Sequence, residues 1–250
     1  MTDTAIVLAG GFGTRLKNVV TDLPKPMAPV NGVPFLNYQL NYLKHYGITN
    51  VIISTGHLGQ KITSYYGNLY NGLKITYSHE EQALGTGGGI RLAIEKSIAS
   101  QTIVLNGDSF FDVNLNEFYR NHTIHAATFS LAARKVENTA RYGTITLGNY
   151  PLPKETKEKT NDFYKIISFN EKTGNTAEGY INGGIYVLDK SHYLKLTNPG
   201  QNFSIEKDVF EKYFLEINIG GFLSNGYFID IGIPEDYARA QHELKEFKYK

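Results

Sequence analysis

The stretch Val7-Leu8-Ala9-Gly10-Gly11-Phe12-Gly13-Thr14-Arg15-Leu16 places three glycines in four positions directly after a short apolar run. Glycine tolerates positive φ and lets the backbone approach a ligand closely, so successive N–H groups can point at anionic oxygens. Arg15 adds a donor able to grip a phosphate through two parallel hydrogen bonds. The stretch lacks the Gly-Lys-Ser/Thr of the commonest triphosphate loop, and Leu16 stands where a dinucleotide fingerprint needs its third glycine. What is left is a glycine loop at the C-terminal end of a buried strand, where open α/β sheets bind ligands, or simply a tight strand-to-helix turn. Further on, Leu23-Pro24-Lys25-Pro26-Met27 brackets one lysine with two prolines. Pro26 disfavours a helical Lys25, so an extended lysine on a stiff backbone is expected. A charge held in this way can meet developing negative charge without reorganising. A rigid surface loop is the plainer reading of the same residues.

The elements that must carry these groups follow from periodicity. Ala5-Ile6-Val7-Leu8, Val51-Ile52-Ile53 and Thr102-Ile103-Val104-Leu105 are continuous apolar runs, as in strands buried on both faces. Residues 34–46 put Phe35, Leu36, Leu40 and Leu43 on one helical stripe, with Gly47 as a stop. Residues 58–66 and 87–98 read as further helices and 74–78 as a strand. This alternation is that of a parallel sheet wrapped on both faces. Beyond it, strands are predicted at 127–134, 143–147, 164–169, 180–188 and 226–232, with helices at 204–214 and 234–247, forming a mixed sheet packed on the first. Residues 151–162 are polar and aperiodic and read as an exposed loop. No linker divides the chain, so one domain over 1–250 is expected.

Composition narrows the classes of function. A net charge of +1 over 250 residues, with 41% hydrophobic side chains, fits a soluble globular chain and offers no electrostatic footprint for nucleic acid or an anionic membrane. The absence of cysteine excludes disulfides, thiolate metal sites and cysteine nucleophiles. No apolar run reaches about 18 residues. Met1-Thr2-Asp3-Thr4 has neither the charge nor the apolar core of a secretion signal, so the cytoplasm is the expected compartment. His122 and His125 have no acidic neighbour to complete a metal set and are expected on a solvated turn.

GGxGTRL followed closely by PKPM is far more specific than either part. The pair resembles the sugar-phosphate nucleotidyltransferases, the enzymes that make nucleotide-sugars, and the resemblance runs nearly the full length of the chain. Leu84-Gly85-Thr86-Gly87-Gly88, Asn106-Gly107-Asp108, Tyr142-Gly143, Asn170-Glu171-Lys172, Ile181-Asn182-Gly183-Gly184, Phe203-Ser204-Ile205-Glu206-Lys207 and Phe228-Ile229-Asp230-Ile231-Gly232 follow in the family's order. The resemblance implies a Rossmann-like three-layer α/β sandwich with a mostly parallel mixed central sheet and a small appended β region for sugar binding. Residues 1–110 would form the nucleotide-binding half and 111–250 the sugar-phosphate-binding half. The implied reaction is attack of a sugar 1-phosphate oxygen on the α-phosphorus of a nucleoside triphosphate, with Mg²⁺ as cofactor and pyrophosphate leaving. The nucleophile is already anionic, so catalysis would rest on positioning and charge neutralisation.

Carried onto matching positions, the resemblance implies catalytic roles for Arg15, Lys25 and Asp108. Arg15 would hold the triphosphate tail. Lys25 would lie near the α-phosphate and the incoming sugar phosphate. Asp108 and Asp230 would hold Mg²⁺. Leu8, Ala9, Gly10, Gly11, Gly13, Thr14 and Arg15 would line the nucleotide site together with Glu80, Leu84, Gly85, Thr86 and Gly107. A carboxylate at Glu80 could accept from two guanine N–H groups, or from one on a pyrimidine. Gly143, Glu171, Lys172, Asn182 and Gly183 would take the sugar phosphate. Ala83 departs from a proline common among relatives. Within the family the resemblance is nearest to guanylyltransferases acting on D-glycero-α-D-manno-heptose 1-phosphate, on the run of residues 22–30 and on Phe228-Ile229-Asp230-Ile231-Gly232-Ile233-Pro234-Glu235-Asp236-Tyr237. GTP and that sugar phosphate are therefore the favoured substrates. A mannose-1-phosphate guanylyltransferase, or a uridylyl- or thymidylyltransferase, is the alternative. A silent nucleotide-sugar sensor is remoter, because it would be expected to lose Arg15, Lys25 or a metal carboxylate. A homo-oligomer is left open.

Overall fold

The computed structural model describes residues 1–11, 16, 20–150, 162–170 and 177–249. The first half runs β1 (Thr4–Ala9), a 3₁₀ turn (Lys25–Met27), β2 (Pro29–Val30), β3 (Val33–Pro34), α1 (Phe35–His45), β4 (Asn50–Thr55), α2 (Gly59–Tyr66), β5 (Leu69–Tyr70), β6 (Leu73–His79), α3 (Gly85–Ile94) and β7 (Gln101–Asn106). The second runs β8 (Ser109–Phe111), α4 (Leu115–Ile124), β9 (Phe129–Val136), β10 (Thr144–Gly148), β11 (Phe163–Asn170), β12 (Gly179–Asp189), α5 (Lys190–Leu196), a wide π-helical segment (Ile205–Glu211), β13 (Ile219–Leu223), β14 (Phe228–Asp230) and α6 (Pro234–Glu243).

Ten strands form one sheet in the order β10-β11-β13-β9-β12-β7-β1-β4-β6-β5. Its centre, β7-β1-β4-β6, is parallel, and the flanks are mainly antiparallel. Along β1, Ala5, Val7 and Ala9 enter one core and Ile6 the other, so the continuous apolar run is a strand covered on both faces. One core holds the buried faces of α1, α2, α4 and α6; the other holds those of α3, α5 and the π-helical segment. That makes three layers.

Strands β9 to β13 of the second half extend this sheet, where a second sheet packed on the first was expected, and β8 and β14 pair apart as a two-stranded ribbon. Their sequence explains it. In β12, Ile185 and Val187 face one core while Tyr186 and Leu188 face the other. A strand apolar on both faces must lie inside a sheet, and β12 pairs with β7 through Ile185↔Leu105 and Tyr186↔Val104. The register of β12 against β9 shifts between Asn182 and Tyr186. Such bulges commonly re-aim side chains beside binding sites.

Helix α4 was not anticipated. Asn114 caps it by accepting from the Glu117 N–H at 3.1 Å. Leu115, Phe118 and His122 lie on its buried face, so the solvated turn expected around His122 and His125 is absent, and both rings are buried. His122 Nδ1 sits 2.8 Å from Ser130 Oγ of β9. Burial pushes the imidazole down to about 4, against a smaller opposing pull from Asp189. The unfolded chain then binds a proton that the folded one refuses. Stability should fall as pH drops from about 6.5 toward 4, by about 3 kcal/mol from this group. Urea unfolding across that range should show the decline, and His122→Asn should flatten it; equal slopes in the two proteins would remove His122 as the cause.

Candidate active site

Strand β1 hands the chain to β4 on one side, and β7 returns on the other. The C-terminal ends of β1 and β7 therefore flank a topological switch point, where open α/β sheets form a crevice. A cavity of about 360 Å³ opens there. Leu8, Ala9, Gly10 and Gly11 line it from the end of β1, and Gly107 from the end of β7. Glu80, Gly85 and Thr86 close the far side, where the N-terminus of α3 opens on it. Leu84 is buried behind that wall.

Glu80 is held in place. Its Oε1 accepts from Ser54 Oγ at 3.0 Å and its Oε2 from the Leu84 N–H at 3.1 Å, leaving each oxygen a lone pair. A Cβ on Gly10 would come within 2.4 Å of Oε1. Gly10→Ala should displace this pinned carboxylate. If nucleotide binds here, its KM should rise about tenfold, the worth of one hydrogen bond to a charged group, with thermal stability unchanged; an unaltered KM would show that Glu80 has no part in binding. The loop with Ala83 in place of proline is tied elsewhere: Asn202 Nδ2 donates to the Ala83 carbonyl at 2.8 Å, and the Phe203 N–H to that of Leu84 at 3.0 Å. Gly85 has φ +70° and faces the Phe203 carbonyl, which a Cβ would approach to 2.5 Å.

Lys25 begins a 3₁₀ turn closed by the Met27 N–H on the Pro24 carbonyl at 2.7 Å. The extended Lys25 expected from Pro26 is not found, because this turn bond outweighs the pre-proline preference. The stiffness survives, with Pro26 and Met27 buried. Lys25 Nζ donates to Asp108 Oδ2 at 2.8 Å. Asp108 lies between β7 and β8, and β8 pairs with β14 through Ser109↔Asp230. The Ile231 N–H donates to the Asp108 carbonyl at 2.9 Å, so two carboxylates distant in sequence are fixed side by side. Burial raises Asp230 above the usual carboxylate range, and the charge of Asp108 adds to it; the Gly232 N–H, 2.7 Å from Oδ1, works the other way. Among the described residues no group of three or more His, Asp or Glu stands where it could hold a metal. A repelling pair of carboxylates beside an open cavity nevertheless fits a hard divalent ion that draws its remaining oxygens from substrate and water.

A second cavity, about 440 Å³, shares Lys25, Thr86, Asn106 and Asp108 with the first. Gly143, Asn182, Gly183 and Asp230 line it, the middle two supplied by the β12 bulge. Arg141 and Glu206 also line it. Arg141 is clamped by Asp236 at 2.6 Å and lies over the Tyr142 ring. Glu206 Oε2 accepts from Thr86 Oγ1 and Ser204 Oγ, each at 2.7 Å, and Oε1 from Tyr186 OH at 3.1 Å. Asn182 Nδ2 in turn donates to Tyr186 OH at 2.8 Å. Glu206 therefore ties the wall of one cavity to that of the other.

The structure thus gathers Leu8, Ala9, Gly10, Gly11, Glu80, Gly85, Thr86 and Gly107 around one cavity, Gly143, Asn182 and Gly183 around the other, and Lys25 and Asp108 where they meet. Gly13, Thr14, Arg15, Glu171 and Lys172 lie outside the described residues, as do residues 151–161. The sequence assigns no role to Arg141, Asn202 or Glu206. Glu206 falls in the run Phe203-Ser204-Ile205-Glu206-Lys207, which the resemblance includes without a role for the carboxylate, and locally it sits in a helix start, with the Ser204 N–H on Asp208 Oδ2 at 2.8 Å.

A switch-point crevice of this shape, with a lysine and a carboxylate where two cavities meet and a second carboxylate beside them, suits an enzyme working on phosphates. The chain belongs to the nucleotidyl transferase family, whose description matches residues 4–246. It is 42% identical over 97% of its length to D-glycero-alpha-D-manno-heptose 1-phosphate guanylyltransferase of Aneurinibacillus thermoaerophilus, covering 99% of that protein. The enzyme described by the same words in Campylobacter jejuni is 38% identical over 93% of this chain and 96% of its own. Among solved structures, HddC from Yersinia pseudotuberculosis superposes with a TM-score of 0.80 at 32% identity, covering 97% of this chain and 99% of that one. The same protein has been solved complexed with GMP-PN. Among the described residues no helix is long and apolar enough to cross a membrane.

Proposed function

We propose that the chain is a sugar-1-phosphate guanylyltransferase that joins GTP and D-glycero-α-D-manno-heptose 1-phosphate into GDP-heptose, releasing pyrophosphate. The observation that carries the reading is the shared wall: two cavities meet at Lys25 and Asp108, which are 2.8 Å apart. Two anionic substrates bound on either side would bring their phosphates together at a fixed cation. The choice of guanine and of heptose draws on the two relatives that carry that activity in their names and on the relative solved with GMP-PN.

In this reading the half before residue 111 takes the nucleotide and the rest takes the sugar phosphate. The β1 loop with Gly10 and Gly11 admits the nucleotide, and Glu80 reads the base through its free lone pairs. Arg15, with Gly13 and Thr14 beside it, holds the triphosphate tail. Asn182, Gly143 and Gly183 orient the sugar, and Glu171 and Lys172 complete that side, Lys172 on the phosphate. Lys25 offsets charge where the sugar phosphate oxygen meets the α-phosphorus. Asp108 and Asp230 would hold Mg²⁺, which when bound supplies further charge neutralisation on phosphate oxygens. No side chain needs to remove a proton, since the attacking oxygen is already anionic.

A substrate panel tests this. GTP, ATP, UTP, CTP and dTTP, each with the heptose and with mannose 1-phosphate, are followed by pyrophosphate release. GTP with the heptose should give the highest kcat/KM. A preference for mannose, or for UTP or dTTP, would overturn the specificity and leave the nucleotidyl transfer standing.

A further inference from the structure

Gln39 is fully buried on α1. Its Nε2 donates to two carbonyl oxygens, that of Asn106 at 2.7 Å and that of Ser109 at 2.6 Å. These carbonyls bracket Gly107-Asp108, one ending β7 and the other opening β8. A single amide thus closes the turn that carries Asp108. Two other ties hold the same turn, the Gly107 N–H on the Leu8 carbonyl and the Ile231 N–H on the Asp108 carbonyl, both at 2.9 Å. Those ties run between backbone groups; that of Gln39 comes from a side chain. Its neighbours one turn away on the helix, Phe35, Leu36, Tyr42 and Leu43, are all buried, and only the Tyr42 hydroxyl among them is polar. Leucine or methionine would satisfy that face, and a buried amide is costly unless it is hydrogen-bonded. The two carbonyls satisfy its Nε2, while its Oε1 has no hydrogen-bond partner among the described residues, so the amide is kept at a cost that packing alone does not explain.

We propose that Gln39 is a positioning residue that fixes the Asn106–Ser109 turn, so that the Asp108 carboxylate faces Asp230 and Lys25 in the arrangement a divalent cation requires. This rests on the reading that Asp108 and Asp230 hold the cation. Groups that orient metal ligands from behind typically change metal affinity 10- to 100-fold when removed, roughly the effect expected here.

The test is a Mn²⁺ titration of the full chain, followed by electron paramagnetic resonance, with and without a non-hydrolysable GTP analogue. Gln39→Met removes the donor at similar volume. Gln39→Asn keeps an amide that is one methylene too short for both carbonyls, and serves if the methionine variant does not fold. Each should weaken Mn²⁺ binding by about 10- to 100-fold. Asn37→Ala is the control: Asn37 is buried on the same helix and accepts from Tyr66 OH at 2.7 Å, away from the turn. It should lower thermal stability and leave Mn²⁺ affinity at the wild-type value. Unchanged Mn²⁺ affinity in the Gln39 variants overturns the proposal, and so does an equal loss in Asn37→Ala. Wild-type protein that takes up no Mn²⁺, or Asp108→Asn that takes it up as well as wild type, overturns the metal reading itself and the role of Gln39 with it.

Discussion

Asp108→Asn should lower kcat by about a thousandfold, the rate equivalent of the several kcal/mol that a metal-assisted charge interaction supplies. The substitution keeps size and shape. The amide oxygen can still accept from Lys25, so the turn between β7 and β8 should persist. What is lost is one negative charge beside Asp230, and with it the pair of carboxylates that suits a divalent ion. Folding should hardly register the change: the Asp108 side chain is 40% exposed, and ion pairs that face solvent contribute little to stability. Thermal unfolding within a few degrees of wild type, alongside the collapse in turnover, is the expected signature. Turnover within tenfold of wild type would show that Asp108 does not serve the reaction.

Lys25→Met should cost turnover about 10²- to 10³-fold, as loss of one preorganised electrostatic contact does elsewhere. Methionine fills a similar volume, and the 3₁₀ turn is closed through backbone groups, so the fold should hold. The effect should fall on kcat more than on either KM. Lys25 stands on the wall shared by both cavities, where phosphate charges meet only as the reaction proceeds, and an interaction strongest in the transition state appears in kcat. The single-substrate affinities, measured by calorimetry with GTP alone and sugar phosphate alone, should change far less. If both affinities fell as much as kcat did, Lys25 would be an ordinary binding residue.

Much of this centre was legible beforehand because its parts are local. The apolar runs that became β1, β4 and β7 could be read directly, since a strand covered on both faces has no polar alternation to confuse it. The glycine loop and the lysine between prolines announced themselves by residue type. Legibility failed where a choice between elements depended on distant partners. Lys25 was expected to be extended, and one turn bond to Pro24 made it helical. Helix α4 was missed because its buried apolar residues, Leu115 and Phe118, are few, and its buried face is completed by a histidine that needs Ser130 of β9 to be satisfied. Glu206 looked like part of a helix start; its role as a tie between Thr86 and Tyr186 depends on groups far off in the chain.

By itself, then, the sequence determined the family, the parallel centre of the sheet and most of the residues that surround the two cavities, because spacing within a strand end or a turn is set by a few neighbouring dihedrals. How those residues meet depends on contacts between segments far apart in the chain. The β8–β14 pairing brings Asp230 beside Asp108, the β12 bulge turns Asn182 into the second cavity, and the amide of Gln39 closes the turn that bears Asp108. Strand register and buried hydrogen bonds are set by complementarity between segments remote in the chain, and no local pattern records which of the available partners each will find.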